Sequence, residues 1–196
     1  MLKYIGDLSA QDAELLERYA RSATSILEFG VGGSTQIIAQ AMPKDASFIS
    51  LDTDSRWIKS TREHLRHLRV EDRCRMLSYS DWPSEADRFD LIFNDGVGRL
   101  RQDFALRSFP RLVPGGVLLF HDTRRLQAVR YVLALVETFF EEISSVKLNE
   151  DFSGVTSNIT AVRKKSKEPY VNWKTTDGKP SWAYGKGTVP ADFWTK

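Results

Sequence analysis

Two places in the sequence put reactive or binding side chains beside exposed backbone. The first is I-L-E-F-G-V-G-G-S-T at 26–35, where Glu28 precedes the turn Gly30-Val31-Gly32-Gly33. Glycine admits unusual dihedrals and lets a ligand approach the main chain closely. Glu28 adds a negative charge there, or else caps the following helix. The second is the pair of strand tips N-D-G at 94–96 and H-D at 121–122. His121 has the right ordinary pKa, about 6.5, to act as a general base, with Asp95 or Asp122 orienting it. Its plainer role is to satisfy backbone groups at a strand end. Asp95, His121 and Asp122 could also form one side of a hard-metal site for Mg²⁺, although a histidine makes the set less purely oxygen. Such a metal would lower the pKa of an acceptor hydroxyl and orient it. Arg99, Arg101, Arg124 and Arg125 follow the same two tips and suit either an anionic acceptor or a solvated surface. His64 and His67, three apart on a charged helix, read as an exposed face.

The elements that must position these groups are legible as apolar runs and breakers. Ser9 with Asp12 opens a helical pattern whose apolar face is Leu15, Leu16, Tyr19 and Ala20. Strands are expected at 25–29, 48–51, 75–79, 89–94 and 117–121. Helices are expected at Thr35–Met42, 55–69, 101–111 and 124–138, with Trp57, Ile58, Leu65 and Leu68 as the inner side of the second. Pro114-Gly115-Gly116 reads as a turn. Strand-helix alternation with uniformly apolar strands implies a parallel sheet covered on both faces. Two further β-like stretches, near 142–149 and 155–163, have no helix between them and should form an antiparallel hairpin at one edge. The expectation is an α/β fold with a doubly wound, mostly parallel, seven-stranded sheet. In such sheets ligands bind beyond the C-terminal strand ends, where the strand order reverses.

A dinucleotide would lay its pyrophosphate on the helix start after the glycine turn, but Glu28 would then face the phosphates, and Thr35 stands where that pattern has its third glycine. A ligand carrying an ammonium and a sulfonium, S-adenosylmethionine, removes the conflict. Here the chain resembles the class I S-adenosylmethionine-dependent methyltransferases, whose first motif is an apolar pair, an acid and G-x-G-x-G. This sequence has I-L-E-F-G-V-G-G-S, with Ser34 in place of the last glycine. The resemblance covers about residues 8–163 and implies a Rossmann-like fold. It assigns the methionine end of the cofactor to Glu28 and the backbone of Gly30, Gly32 and Gly33. It assigns the ribose hydroxyls to Asp52, 24 positions after Glu28, with Asp54 as a competitor. Asp81, in S-Y-S-D-W, takes the adenine amino group, and Trp82 covers the ring. L-V-P-G-G-V-L-L is a further phrase of the family. Catechol-type, metal-dependent O-methyltransferases place acidic or amide ligands at the two strand tips, from which His121 departs. The catalytic candidates are therefore His121, Asp95 and Asp122, with or without Mg²⁺.

At 196 residues, 41% hydrophobic and 28% charged, the chain is long enough for one globular domain that buries about 70% of its unfolded surface. A net charge of +2 favours neither nucleic acid nor membrane. No apolar run approaches the roughly 20 residues of a membrane span, and M-L-K-Y-I-G-D-L-S-A lacks a signal core. The single cysteine, Cys74, fits a reducing compartment, so a cytoplasmic location is expected. Residues 1–163 form the expected domain. Residues 164–196 form an irregular tail with seven lysines against three acids and three of the five tryptophans. Its aromatics should pack on the domain or on a second subunit, as in a homodimer, unless the tail is disordered. The leading expectation is O-methylation of a small-molecule or glycan-like acceptor. The alternatives are a non-catalytic binding or assembly module on the same fold and a nicotinamide-dependent oxidoreductase.

Overall fold

The computed structural model of the protein describes residues 8–122, 140–145, 149–150, 156–157 and 159–164. The expected helix at 124–138 and the tail beyond Lys164 lie outside these residues. Five parallel strands, β1 (Ser25–Phe29), β2 (Ser47–Asp52), β3 (Arg75–Ser78), β4 (Phe89–Asn94) and β5 (Leu112–His121), form the body of the sheet. β6 (Phe140–Ser145), β7 (Asn149–Glu150), β8 (Thr156–Ser157) and β9 (Ile159–Lys164) follow. The seven-stranded sheet has the order β3-β2-β1-β4-β5-β9-β6, while β7 and β8 pair separately. β9 is antiparallel to both β5 and β6 and lies between them. The order reverses between β1 and β4, so a crevice opens beyond the tips of those two strands.

Side chains alternate across the sheet and divide the core in two. Ile26, Leu91, Phe93 and Leu119 face one side, against Leu16 of α1 (Ala10–Ala20), Ile38 of α2 (Gly33–Ala41) and Leu65 of α3 (Ser55–His67). Leu27, Phe29, Ile92, Leu118 and Phe120 face the other, against Phe104 of α4 (Arg101–Ser108). The same parity sends Glu28, Asp95 and His121 toward the α1–α2 side. Ser9 caps α1, its hydroxyl accepting the Asp12 N–H at 3.1 Å, and the buried face is Asp12, Leu15, Leu16 and Ala20. At the opposite end of the sheet, the Asp90 carboxylate accepts the N–H groups of Thr24 at 2.8 Å and Ser25 at 3.0 Å, which fixes β1 beside β4.

Three local expectations change. Pro114-Gly115-Gly116 is not a turn but part of β5. Gly115 takes φ +80°, and the β4–β5 register shifts between Phe89 and Leu91, so the strand absorbs the irregularity without ending. The helix expected to reach residue 111 stops at Ser108 and tightens into a 3₁₀ turn at Phe109–Arg111, because Pro110 cannot donate the next helical bond. Trp57 is not on the inner side of α3. It is 43% exposed, while Thr61 and Leu65 form the buried stripe. Among the described residues no helix is long and apolar enough to cross a membrane.

Candidate active site

Beyond the tip of β1 the chain turns through Gly30, whose φ is +107°. A Cβ there would lie 2.6 Å from the carbonyl carbon of Asp95, so only glycine fits. The turn is tied to both neighbouring strands. Gly30 N–H donates to Leu51 O at 2.9 Å, and Asp95 N–H donates to Phe29 O at 2.7 Å. Val31 N–H donates to the Asp52 carboxylate at 2.8 Å, and the other Asp52 oxygen accepts Asp54 N–H at 2.8 Å. Burial raises the Asp52 carboxyl above its ordinary value, opposed by the N–H groups of Asp54, Val31 and Thr53.

Glu28 lies beneath this turn and is fully buried. It stands in register with Ser50 on β2. One of its oxygens accepts the hydroxyls of Thr35 at 2.6 Å and Ser50 at 2.5 Å. Thr35 in turn accepts Gly32 N–H at 2.9 Å. Burial raises the Glu28 carboxyl to about 7, against the lowering effect of the Ser34, Ser50 and Thr35 hydroxyls. Its observed contacts hold the glycine turn from behind.

A cavity of about 400 Å³ opens in front of the turn, between Gly30–Ser34, Asp52–Asp54, Trp57 and Asp95–Val97. That volume is in the range that encloses a small organic ligand. One wall is the glycine turn, Asp52 supplies a carboxylate, and Trp57 is the aromatic residue at the border. Asp54 lines the same mouth but is engaged with α3. It accepts Arg56 N–H at 2.9 Å and the Arg56 guanidinium at 2.7 Å, and these bonds lower its carboxyl to about 2. Asp81 and Trp82 do not border the cavity. Asp81 is exposed and hydrogen-bonded to Ser80. The Trp82 ring packs on Phe104 and Tyr79, with the Arg107 guanidinium 3.8 Å from its centre.

At the tips of β4 and β5 the expected residues do come together. Asp95, His121 and Asp122 place ligand-capable atoms within 4.8 Å of one another. His121 Nδ1 is 2.7 Å from Asp95 Oδ1 and 3.6 Å from Asp122 Oδ2, and its Nε2 is 3.7 Å from Asp12 Oδ2 on α1. Burial pulls the imidazolium pKa down, but Asp95, Asp12 and Asp122 outweigh it and raise it to about 10. The raised value favours the imidazolium at neutral pH, and the ring is fully buried. Asp95 feels the reciprocal effect. Burial raises it, yet His121 and Arg101 bring its carboxyl below the ordinary value. Of the three, only Asp95 also borders the cavity.

Two members of this cluster are not identified as such by sequence reasoning. Asp12 has only a capping signature, and Arg101 is one of four arginines trailing the tips. Arg101 turns inward, not toward a substrate. It is 7% exposed and meets Asp95 Oδ1 at 2.8 Å and Asp122 Oδ2 at 3.3 Å. Trp57 was equally hidden. Its signal is position, one turn into the helix that follows Asp52–Asp54.

Residues 27–123 match a family model described as a methyltransferase domain. No curated protein matches the chain. Among solved structures, the O-methyltransferase TomG from Streptomyces achromogenes, involved in tomaymycin synthesis and in complex with S-adenosylmethionine, aligns with a TM-score of 0.67 and 19% identity, covering 81% of each chain. An O-methyltransferase from Bacillus cereus in complex with S-adenosylhomocysteine aligns with a TM-score of 0.67 and 18% identity over 81% of this chain and 83% of that one. The N-methyltransferase NodS from Bradyrhizobium japonicum, also with S-adenosylhomocysteine, has a TM-score of 0.61 and 18% identity, covering 79% and 86%. At these identities the likeness is one of fold.

Proposed function

We propose that this chain, whose residues 27–123 match the methyltransferase-domain model, is a class I S-adenosylmethionine-dependent methyltransferase and that it methylates a hydroxyl oxygen of a small-molecule or glycan-like acceptor. The cavity carries this reading. About 400 Å³ of space lies at the β1–β4 reversal, between the glycine turn with Asp52 on one side and Asp95 on the other. In this reading the glycine backbone receives the methionine portion of the cofactor, and Asp52 accepts the ribose hydroxyls. Trp57, which borders the same cavity, would supply an aromatic contact to the nucleoside. Asp81 and Trp82 are left without a part in holding adenine, since neither borders the cavity. Solved O-methyltransferases such as TomG support the choice of oxygen, while NodS shows that the same fold also serves nitrogen.

When bound, S-adenosylmethionine supplies an electrophilic methyl group, released by in-line displacement to leave a neutral thioether. The protein must align the acceptor and receive its proton. Asp95 is the carboxylate at the cavity edge and takes that role. His121, charged and enclosed, holds Asp95 and balances its charge. It is a positioning residue. Asp122 lies one step farther from the cavity and completes the enclosure.

We further propose residues 1–163 as the catalytic domain and 164–196 as a segment appended to it. The working location is the cytoplasm. The direct test is calorimetry with S-adenosylmethionine, followed by transfer of labelled methyl to a panel of hydroxyl- and amine-bearing acceptors. Binding that weakens in Asp52→Ala, with label on oxygen, is the expected result. Binding unchanged by Asp52→Ala, or label only on nitrogen, removes the assignment.

A further inference from the structure

The structure assigns the acid cluster at the tips of β4 and β5 a resident cation, the guanidinium of Arg101, seated where a divalent metal would otherwise bind. Asp95, His121 and Asp122 have the convergence a metal requires. The five N–H groups of Arg101 are, however, all directed to acceptors in that space. Nε donates to Gly96 O at 2.5 Å, and Nη1 donates to His121 O at 2.9 Å and Asp122 Oδ2 at 3.3 Å. Nη2 donates to Asp95 O at 3.1 Å and Asp95 Oδ1 at 2.8 Å. Two acceptors are carboxylates and three are carbonyls at the two strand ends. The backbone of Arg101 is held as well, since Asn94 Nδ2 donates to its carbonyl at 2.8 Å. A planar fork with five donors fits this array, and a point charge does not.

A divalent ion among the same ligand atoms has two options. It can expel the guanidinium, which leaves three buried carbonyls without their donors. Or it can sit beside the guanidinium, where two like charges repel across a few ångströms of poorly screened interior. The imidazole is no better placed as a ligand. Its Nδ1 is directed at Asp95 and its Nε2 faces Asp12. Arg101 is therefore a positioning residue. It fixes Asp95 at the cavity edge and neutralises it, as a metal would, without offering an open coordination site.

The test reads metal and not turnover, so its failure is distinguishable from failure of the transferase reading. Mn²⁺ is titrated into the full chain and followed by calorimetry and electron paramagnetic resonance, for the wild type, Arg101→Ala and Asp95→Asn. The wild type is expected to take up no Mn²⁺ that depends on Asp95, and EDTA is expected to leave its melting temperature unchanged. Arg101→Ala, with two carboxylates and an imidazole released, is expected to bind one Mn²⁺ at least tenfold more tightly than the wild type. One Mn²⁺ per wild-type chain, lost in Asp95→Asn, overturns the assignment whether or not Arg101→Ala folds. A folded Arg101→Ala with no gain in Mn²⁺ affinity also overturns it.

Discussion

His121 Nδ1 lies 2.7 Å from Asp95 Oδ1, a pairing across 26 residues that joins the tips of two adjacent parallel strands. Because Asp95, Asp12 and Asp122 raise the folded-state imidazolium to about 10, against about 6.5 in the unfolded chain, protonated His121 stabilises the fold. That contribution is fully present below pH ~6.5 and is lost as pH rises through about 10. The melting temperature of the wild type should therefore fall between pH 7 and 10, and His121→Gln should show a shallower fall over the same interval. Calorimetric melts of both proteins across that range check this.

Glu28 has the opposite chemistry and an earlier window. Burial raises its folded pKa to about 7, above an unfolded value of about 4.3. Ionising it within the fold is unfavourable, so stability is lost as pH rises from ~4.5 through 7. Glu28→Gln keeps the shape and removes the charge. Urea midpoints at pH 5 and pH 8 should show the variant gaining on the wild type at the higher pH. An unchanged difference between the two pH values would mean that Glu28 is ionised throughout.

Gly30→Ala should be among the most damaging single substitutions. The new methyl meets Asp95 backbone at 2.6 Å in a φ of +107°. Strain of this kind costs about 1–3 kcal/mol, before any displacement of Asp95. Denaturant unfolding should show a lower midpoint with an unchanged slope. Gly115→Ala, with a positive φ but nothing within 4 Å, should cost less.

Trp57→Ala should separate binding from stability. Its side chain is 43% exposed, so its removal should alter unfolding free energy by no more than about 0.5 kcal/mol. On the proposed reading it should nevertheless weaken S-adenosylmethionine binding about tenfold, and Asp52→Ala should do so by tenfold or more. Isothermal titration beside thermal melts distinguishes a binding loss from a folding loss.

The fold was legible because buried parallel strands are continuous apolar runs with breakers at their ends, and I-L-E-F-G and F-D-L-I-F-N mark their limits closely. The convergence of the polar tips also followed, since parallel neighbours in one sheet end at one edge. What the sequence hid depends on direction and distance. Nothing local distinguishes Arg101, turned inward, from Arg99, which is exposed. Asp12 reads as a cap until α1 is docked and brings it to His121, more than a hundred positions later. Trp57 suits an apolar stripe by type, yet the helix rotates it into the cavity mouth. Pro114-Gly115-Gly116 looks like a break because the β4–β5 register shift that accommodates it involves Phe89 and Leu91, far away in the chain.

The bare Cα of Gly30 rests against the peptide between Asp95 and Gly96. The two halves of the crevice therefore share a single wall thickness. A displacement of the turn on one side would press directly on the backbone that carries the Asp95 carboxylate on the other. Whatever settles against the glycines therefore bears on the segment that carries Asp95, so the two sides of the crevice cannot be altered independently.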